Sequence, residues 1–292
     1  MTERSEPVPA RLLRHMLVTR VRSLFNDRSK GEAPVMRSPD ALYDPASAIW
    51  RVHGDVTTMM IGGVAALLMQ MLHPAALAGV WDHSNFRHDM LGRLRRTARF
   101  IAVTTYAERA EAEAAIERVK AIHAQVRGEL PDGTPYRADD PHLLAWVHLC
   151  ETIGFLDAWT IYGDPAMPHA QRDEYVRQSG LVAKRLGADP VPSTRAEVEA
   201  MIGEFMPELR VDDRTREIAR LVLSQPARSL SAAPAQELMM RAAIDLMPRW
   251  AQDMHGRHLS RRSRPLVRAG AHAMTRTLNW AFADKGAKTR RE

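Results

Sequence analysis

The sequence predicts an all-α protein, and three observations carry that prediction. Alanine, leucine, methionine, arginine and glutamate dominate the long segments, and these residues lose little on entering a helix. Runs of alternating β-branched residues, the mark of half-buried strands, are missing. Helix start and stop signals punctuate the chain: Asp55, Asp140-Pro141 and Thr194 with Glu197 open segments, and Gly128 is placed to close one. The chain has 292 residues, 45% of them hydrophobic and 26% charged, so it can bury one large core and does not read as disordered. There is no internal repeat, low-complexity tract or evident linker. The expected layout is a basic amphipathic helix and loop over 1–45, one large helical bundle domain over 46–255, and a basic helical extension over 256–292.

Taken in order, residues 10–25 read as the basic amphipathic helix, with Leu13, Met16, Leu17, Val21 and Leu24 on one side. A loop rich in Pro, Gly and Asp covers 26–44. A short segment near 46–52 leads to Asp55, an N-cap for the apolar helix 56–72. Helices are expected near 74–81, from about residue 89 through 104, and over 107–127, where Gly128 stands as the residue after the last turn. Residues 131–135 form a turn, and Pro141 then opens a long helix to about residue 162. Further helices are expected over 171–186, after Thr194, and near 213–224, 235–247 and 270–283.

The formal net charge is +6, with arginines gathered at both ends. Such ends attract anions, but no nucleic-acid motif accompanies them and aromatics are only 6%, so nucleic-acid binding is not expected. The single cysteine, Cys150, permits no intrachain disulfide and no thiolate metal cluster. Residues 56–72 hold no charge over 17 positions, the lower edge of a membrane span. Two glycines, two threonines and Gln70 dilute the run, which favours a buried central helix. No signal-like apolar core opens the chain, and a cytoplasmic address is expected. Contact of residues 10–25 with a membrane surface stays open.

Four local patterns could carry chemistry. Ile116, Val119, His123 and Val126 share one helix face, so the His123 imidazole points with the apolar side chains. An inward imidazole needs a partner, which could be a carbonyl, a carboxylate or a metal. Arg93 and Thr97 share a face, as do Arg96 and Phe100, and an arginine fork there could grip a buried acid. His73 closes the apolar helix, where it could act as a C-terminal cap, ahead of the polar run Asp82, His83 and Ser84. That run is no hydrolase triad, because adjacent residues do not converge in that geometry. His148 and Glu151 lie three apart on the long helix, without the Glu-x-x-His order of di-iron bundles.

Together these segments resemble a helical family that contains latex-clearing protein (rubber oxygenase) and the MpaB-type oxygenase. The likeness spans roughly residues 47–250 and rests on Leu72-His73-Pro74, Asp82-His83-Ser84, the series Arg93, Arg96, Thr97, Phe100 and Ile101, then Ile122, His123, Val126 and Gly128, the stretch from Tyr136 to His148, and Asp173-Glu174-Tyr175. The resemblance implies a helical bundle enclosing a pocket for non-covalent haem b. It implies His123 as the iron ligand and Arg93 and Thr97 at the haem pocket, with His73 and His148 as supporting residues. Two departures stand out. Arg96 occupies the place of a lysine that rubber oxygenase can put on the distal side of the iron, and arginine is a poor ligand. The catalytic glutamate of rubber oxygenase has no counterpart in the run Ala75 to Val80. The expected function is a haem-dependent oxygenase acting with dioxygen on a small hydrophobic, terpenoid or lipid-like molecule. The alternative is a haem or hydrophobic-ligand binder without turnover.

Overall fold

In the computed structural model, residues 8–25, 33–87, 89–227 and 229–283 are described. They form 13 α-helices and two three-residue strands. The helices are α1 (Val8–Phe25), α2 (Ala48–His53), α3 (Val56–Gln70), α4 (Pro74–His83), α5 (Met90–Tyr106) and α6 (Arg109–His123). The strands β1 (Arg127–Glu129) and β2 (Pro135–Arg137) follow. The chain continues through α7 (Pro141–Ala158), α8 (His169–Leu186), α9 (Arg195–Phe205), α10 (Asp213–Leu223), α11 (Ala233–Leu246), α12 (Arg249–His255) and α13 (Ser263–Phe282). The all-α prediction therefore holds. The loop expected over 26–44 is described only from residue 33 onward.

Local chemistry sets most boundaries. Asp55 caps α3 by accepting from Thr58 N at 2.8 Å, and Asp89 caps α5 through Gly92 N at the same distance. Asp140 accepts from the amides of His142 and Leu143, with Pro141 in the first turn of α7. Thr194 caps α9 through Glu197 N, while the Glu197 carboxylate reaches Ser193 N instead of closing back on Thr194.

Some expectations fail for identifiable reasons. The helix α6 ends at His123, four residues before the expected stop, and residues 127–129 pair antiparallel with 135–137. Gly128 lies beneath the Tyr136 ring, where a Cβ would stand 2.8 Å from the phenol oxygen. Its glycine serves that close approach in the hairpin. His73 does not close α3, which ends at Gln70; it caps the start of α4. The last helix begins at Ser263, not near 270, and α12 precedes it. In α1, Leu13 and Met16 face outward with Leu12, while Leu17 is half-buried. The inward face includes Arg14, which donates to Ala283 O of the chain beyond α13 and lies over Trp280.

The core is built on α3 and α7, which cross with more contacts than any other pair of elements. Both helices are apolar and bury most of their side chains. A Cβ on Gly154 would come within 2.5 Å of Gly62 O, and one on Gly62 would meet the Gly154 carbonyl carbon at 2.8 Å. The backbones thus touch, and Ala65 and Ala66 sit fully packed beside the crossing. Trp146 Nε1 donates to Gln70 O at 3.2 Å across the same seam. Around this pair, α11 and α13 cover α3, α8 covers α7, and α2 bridges α5 and α8. The fully buried Asp245 of α11 accepts from Arg264 and Arg268, holding α13 against the bundle. No single helix among the described residues is long and apolar enough to cross a membrane; α3 and α4 meet at a bend of 104°.

One ionisable group sits unfavourably on the core helix. Glu151 lies between buried Cys150 and Thr152. Burial raises its pKa from 4.5 to about 7, opposed by a hydrogen bond from Gln70. The folded protein therefore holds this proton to higher pH than the unfolded chain. Below pH 4.5 both states are protonated and Glu151 costs nothing; between 4.5 and about 7 the unfolded state ionises first and stability falls. Glu151→Gln removes the titration. Relative to the wild type, it should gain little at pH 4.5 and gain up to about 3 kcal/mol at pH 8 in urea unfolding. A difference that does not change with pH would contradict this.

Candidate functional site

The helix α4 links the predicted site residues. Its ten residues span about 15 Å at 1.5 Å per residue. At its far end, Asp82, His83 and Ser84 meet α5 on one side and the β1–β2 hairpin on the other. Asp82 accepts from the Tyr136 hydroxyl at 2.8 Å, His83 Nε2 reaches Arg127 O at 3.2 Å, and Arg93 Nη1 donates to Ser84 Oγ at 3.1 Å. Val126, between α6 and the hairpin, packs toward Gly79 of α4.

Arg93 was expected against a buried acid, but the geometry differs. Its hydrogen-bond partner is the neutral Ser84 hydroxyl, and no carboxylate among the described residues pairs with it. Burial, with Arg96 as a second cause, lowers its pKa to about 10. A guanidinium so placed has unused capacity for an anion. Thr97 lies one turn further on, exposed, with its hydroxyl on Arg93 O at 3.3 Å. Arg96 is also exposed and pairs with Asp89 at 3.5 Å.

His123 is the final residue of α6. Ile116 on its face is buried, whereas Val119, His123 and Val126 are half-buried, so the imidazole sits at the rim of the core rather than inside it. Its Nδ1 is buried without a hydrogen-bond partner. Burial lowers the ring's pKa against the pull of Asp139, so the neutral form is favoured. Among the described histidines no other buried ring nitrogen lacks a partner. His53, which the sequence did not single out, bonds Thr105 Oγ1 at 2.9 Å and Tyr175 Oη at 3.1 Å, and burial pushes its pKa to about 3.

The remaining expected histidines are engaged elsewhere. His148 is buried on α7 beside the Thr152 hydroxyl at 3.5 Å, and burial lowers its pKa to about 4. It shares no hydrogen-bond partner with Glu151, whose neighbour is Gln70. His73 lies at the opposite end of α4 from Ser84. Its Nδ1 accepts from Ala75 N at 3.2 Å, and its Nε2 meets Glu208 at 3.1 Å. The second Glu208 oxygen takes His142 Nε2 at 2.8 Å, and that ring stacks on Phe205 at 4.2 Å. Burial raises the Glu208 pKa, but the hydrogen bonds from His142 and His73 outweigh it and the carboxyl is held below its usual range. His73, His142 and Glu208 border an open groove of about 600 Å3, together with Tyr136, Arg137 and Arg210. The groove does not include His123, Arg93 or Thr97. Sequence reading missed His142 and Glu208 because they meet His73 only through the fold.

No group of three or more His, Cys, Asp or Glu among the described residues is arranged to hold a metal ion. A metal held by side chains alone would need such a set. A haem iron does not, since the macrocycle brings four nitrogens and the protein adds one axial side chain. Two residues have the chemistry that demand calls for: His123, a neutral imidazole with an unpartnered Nδ1, and Arg93, a desolvated arginine without a carboxylate. Trp50 Nε1, Trp159 Nε1 and Thr57 Oγ1 are buried without a partner as well.

Neither a curated protein nor a solved structure matches the chain. A family model does, over residues 50–280, from the middle of α2 almost to the end of α13. Its description is "ER-bound oxygenase mpaB/B'/Rubber oxygenase, catalytic domain". With most of its length matched, the chain belongs to this family and carries its oxygenase-type catalytic domain.

Proposed function

We propose that the domain is a haem b-dependent oxygenase that acts with dioxygen on a small hydrophobic molecule in the cytoplasm. The observation that carries the reading is the buried, unpartnered Nδ1 of His123. Leaving such an atom unpaired costs about 1–3 kcal/mol, and native structures rarely leave one without a use. A neutral imidazole is the form that donates to iron. In this reading His123 would hold the iron, Arg93 would pair with a carboxylate of the haem, and Thr97 would border the same face of α5. The haem, when bound, supplies the activation of dioxygen. The chain's own residues orient the group, hold its negative charge and limit water. His73 and His148, with their nitrogens engaged, act as framework residues.

One observation favours the alternative, a haem or hydrophobic-ligand binder without turnover. The α4 segment that would hold the rubber-oxygenase glutamate carries Ala76, Leu77 and Ala78, all buried. Oxygen uptake with a panel of terpenoid and unsaturated lipid substrates separates the two: turnover supports the oxygenase, and no uptake with haem bound supports the binder.

The experiment for the haem site is a visible spectrum of the purified protein after addition of haemin. The wild type should show a Soret band that survives gel filtration. His123→Ala should lose it while keeping its far-UV circular dichroism, and Arg93→Gln should retain haem roughly tenfold less tightly. A folded wild type that stays colourless, or a His123→Ala variant with an unchanged band, would refute the assignment.

A further inference from the structure

Three neighbouring helices share an unusual charge pattern. The helix α1 packs on both α5 and α13. There are four arginines in α1, four in α5 and three in α13, and none of the three contains an aspartate or glutamate. The chain as a whole carries 35 acidic residues, and with none in these three helices their balance stays positive even after Asp245 takes Arg264 and Arg268 and Asp89 takes Arg96.

Apolar side chains stand out from the same side. On α1, Pro9, Leu12, Leu13 and Met16 are exposed and fall within about 100° of helix arc. Leu12 is 66% exposed and Met16 51%. The exposed His15 lies about 60° beyond this arc and the exposed Arg11 about 100° beyond it, on the same flank. On α13, the exposed Leu266, Ala269, Ala273, Arg276 and Trp280 fall within about 80°. Leu266 is 74% exposed. Arg14 joins the two helices, donating to Ala283 O and lying 5.1 Å from the centre of the Trp280 ring. Burying α1 would have turned its leucines inward. Here Arg14 is turned inward, while Leu12, Leu13 and Met16 are turned outward.

We propose that α1 and α13 form a docking surface for the headgroup region of an anionic lipid bilayer. The inference is independent of the haem reading. A bilayer interface offers what this face lacks: an apolar layer for Leu12, Leu13, Met16 and Leu266, and negative headgroups for the exposed Arg11 and Arg276. Trp280 suits the boundary between the two. The surface lies on the water–lipid boundary and requires no spanning helix. A hydrophobic substrate dissolved in that layer would then be close to the domain.

The test is co-sedimentation of the full chain with two kinds of vesicle: phosphatidylcholine alone, and equal parts phosphatidylcholine and phosphatidylglycerol. Binding should require phosphatidylglycerol and weaken as salt rises. The double variant L12Q/M16Q should bind the mixed vesicles at least about tenfold more weakly, and Arg11→Glu should bind more weakly as well. Both alter exposed side chains, so circular dichroism and melting temperature should match the wild type. Absence of binding to the mixed vesicles, equal binding to both kinds, or wild-type binding by L12Q/M16Q would each overturn the proposal. So would a dimer in solution that L12Q/M16Q dissociates, because the face would then belong to a second copy of the chain.

Discussion

The contact of α3 with α7 is the constraint on which the remaining structure depends. Two helices can approach until their backbones touch only where side chains are absent, and Gly62 and Gly154 supply that absence on both sides. The crossing leaves α7 buried on almost every face, which is why a helix of such uniform hydrophobicity is stable in this position. It also sets Gln70 beside α7, where its backbone oxygen accepts from Trp146 and its amide donates to Val147 O. The end of α3 is fixed by this pairing, and Leu72 O is held in turn by Arg210 N.

From that fixed end the chain bends sharply into α4, and α4 distributes the polar chemistry. Its first residue's cap, His73, joins Glu208 and His142 at one end; Ser84 meets Arg93 just beyond the other. The two ends differ in kind. The His73–Glu208–His142 group is satisfied internally, each Glu208 oxygen holding one imidazole. At the other end Arg93 has only a neutral partner, and His123 on the adjoining α6 leaves a nitrogen unpaired. Satisfied polar groups stabilise a fold; unsatisfied ones cost stability and are retained where a ligand completes them. The proposed site at His123 and Arg93 rests on this contrast.

Much of this was legible in the sequence because it is local. Asp55, Asp89 and Asp140 accept amide protons within three residues of themselves, so short patterns were enough to find them. The apolar run of residues 56–72 identified the central helix. Features set by distant contacts were misread. Gly128 looked like a helix terminator because its hairpin partner Tyr136 was not yet in view. Glu208 is 135 residues from His73, and no local signal marks the pair. The orientation of α1 was equally hidden, since leucines, methionine and valine lie around much of its circumference and packing against α13 and α5, with Arg14 turned toward Ala283 O, chooses the inward face. Arg93 and His123 were visible as residues, but their lack of partners emerges only from the packed structure.

The most direct measurement is the stability of Gly154→Ala beside that of Gly63→Ala. A Cβ at Gly63 would meet Phe155 at an ordinary 3.6 Å, whereas one at Gly154 would lie 2.5 Å from Gly62 O. Alanine is favoured over glycine inside a helix by up to about 1 kcal/mol, so Gly63→Ala should unfold at equal or higher urea concentration than the wild type. Gly154→Ala must push the two helices apart and should lose about 1–3 kcal/mol or more. A Gly154→Ala protein as stable as Gly63→Ala would contradict the account, because the crossing would then not be the constraint that shapes the bundle.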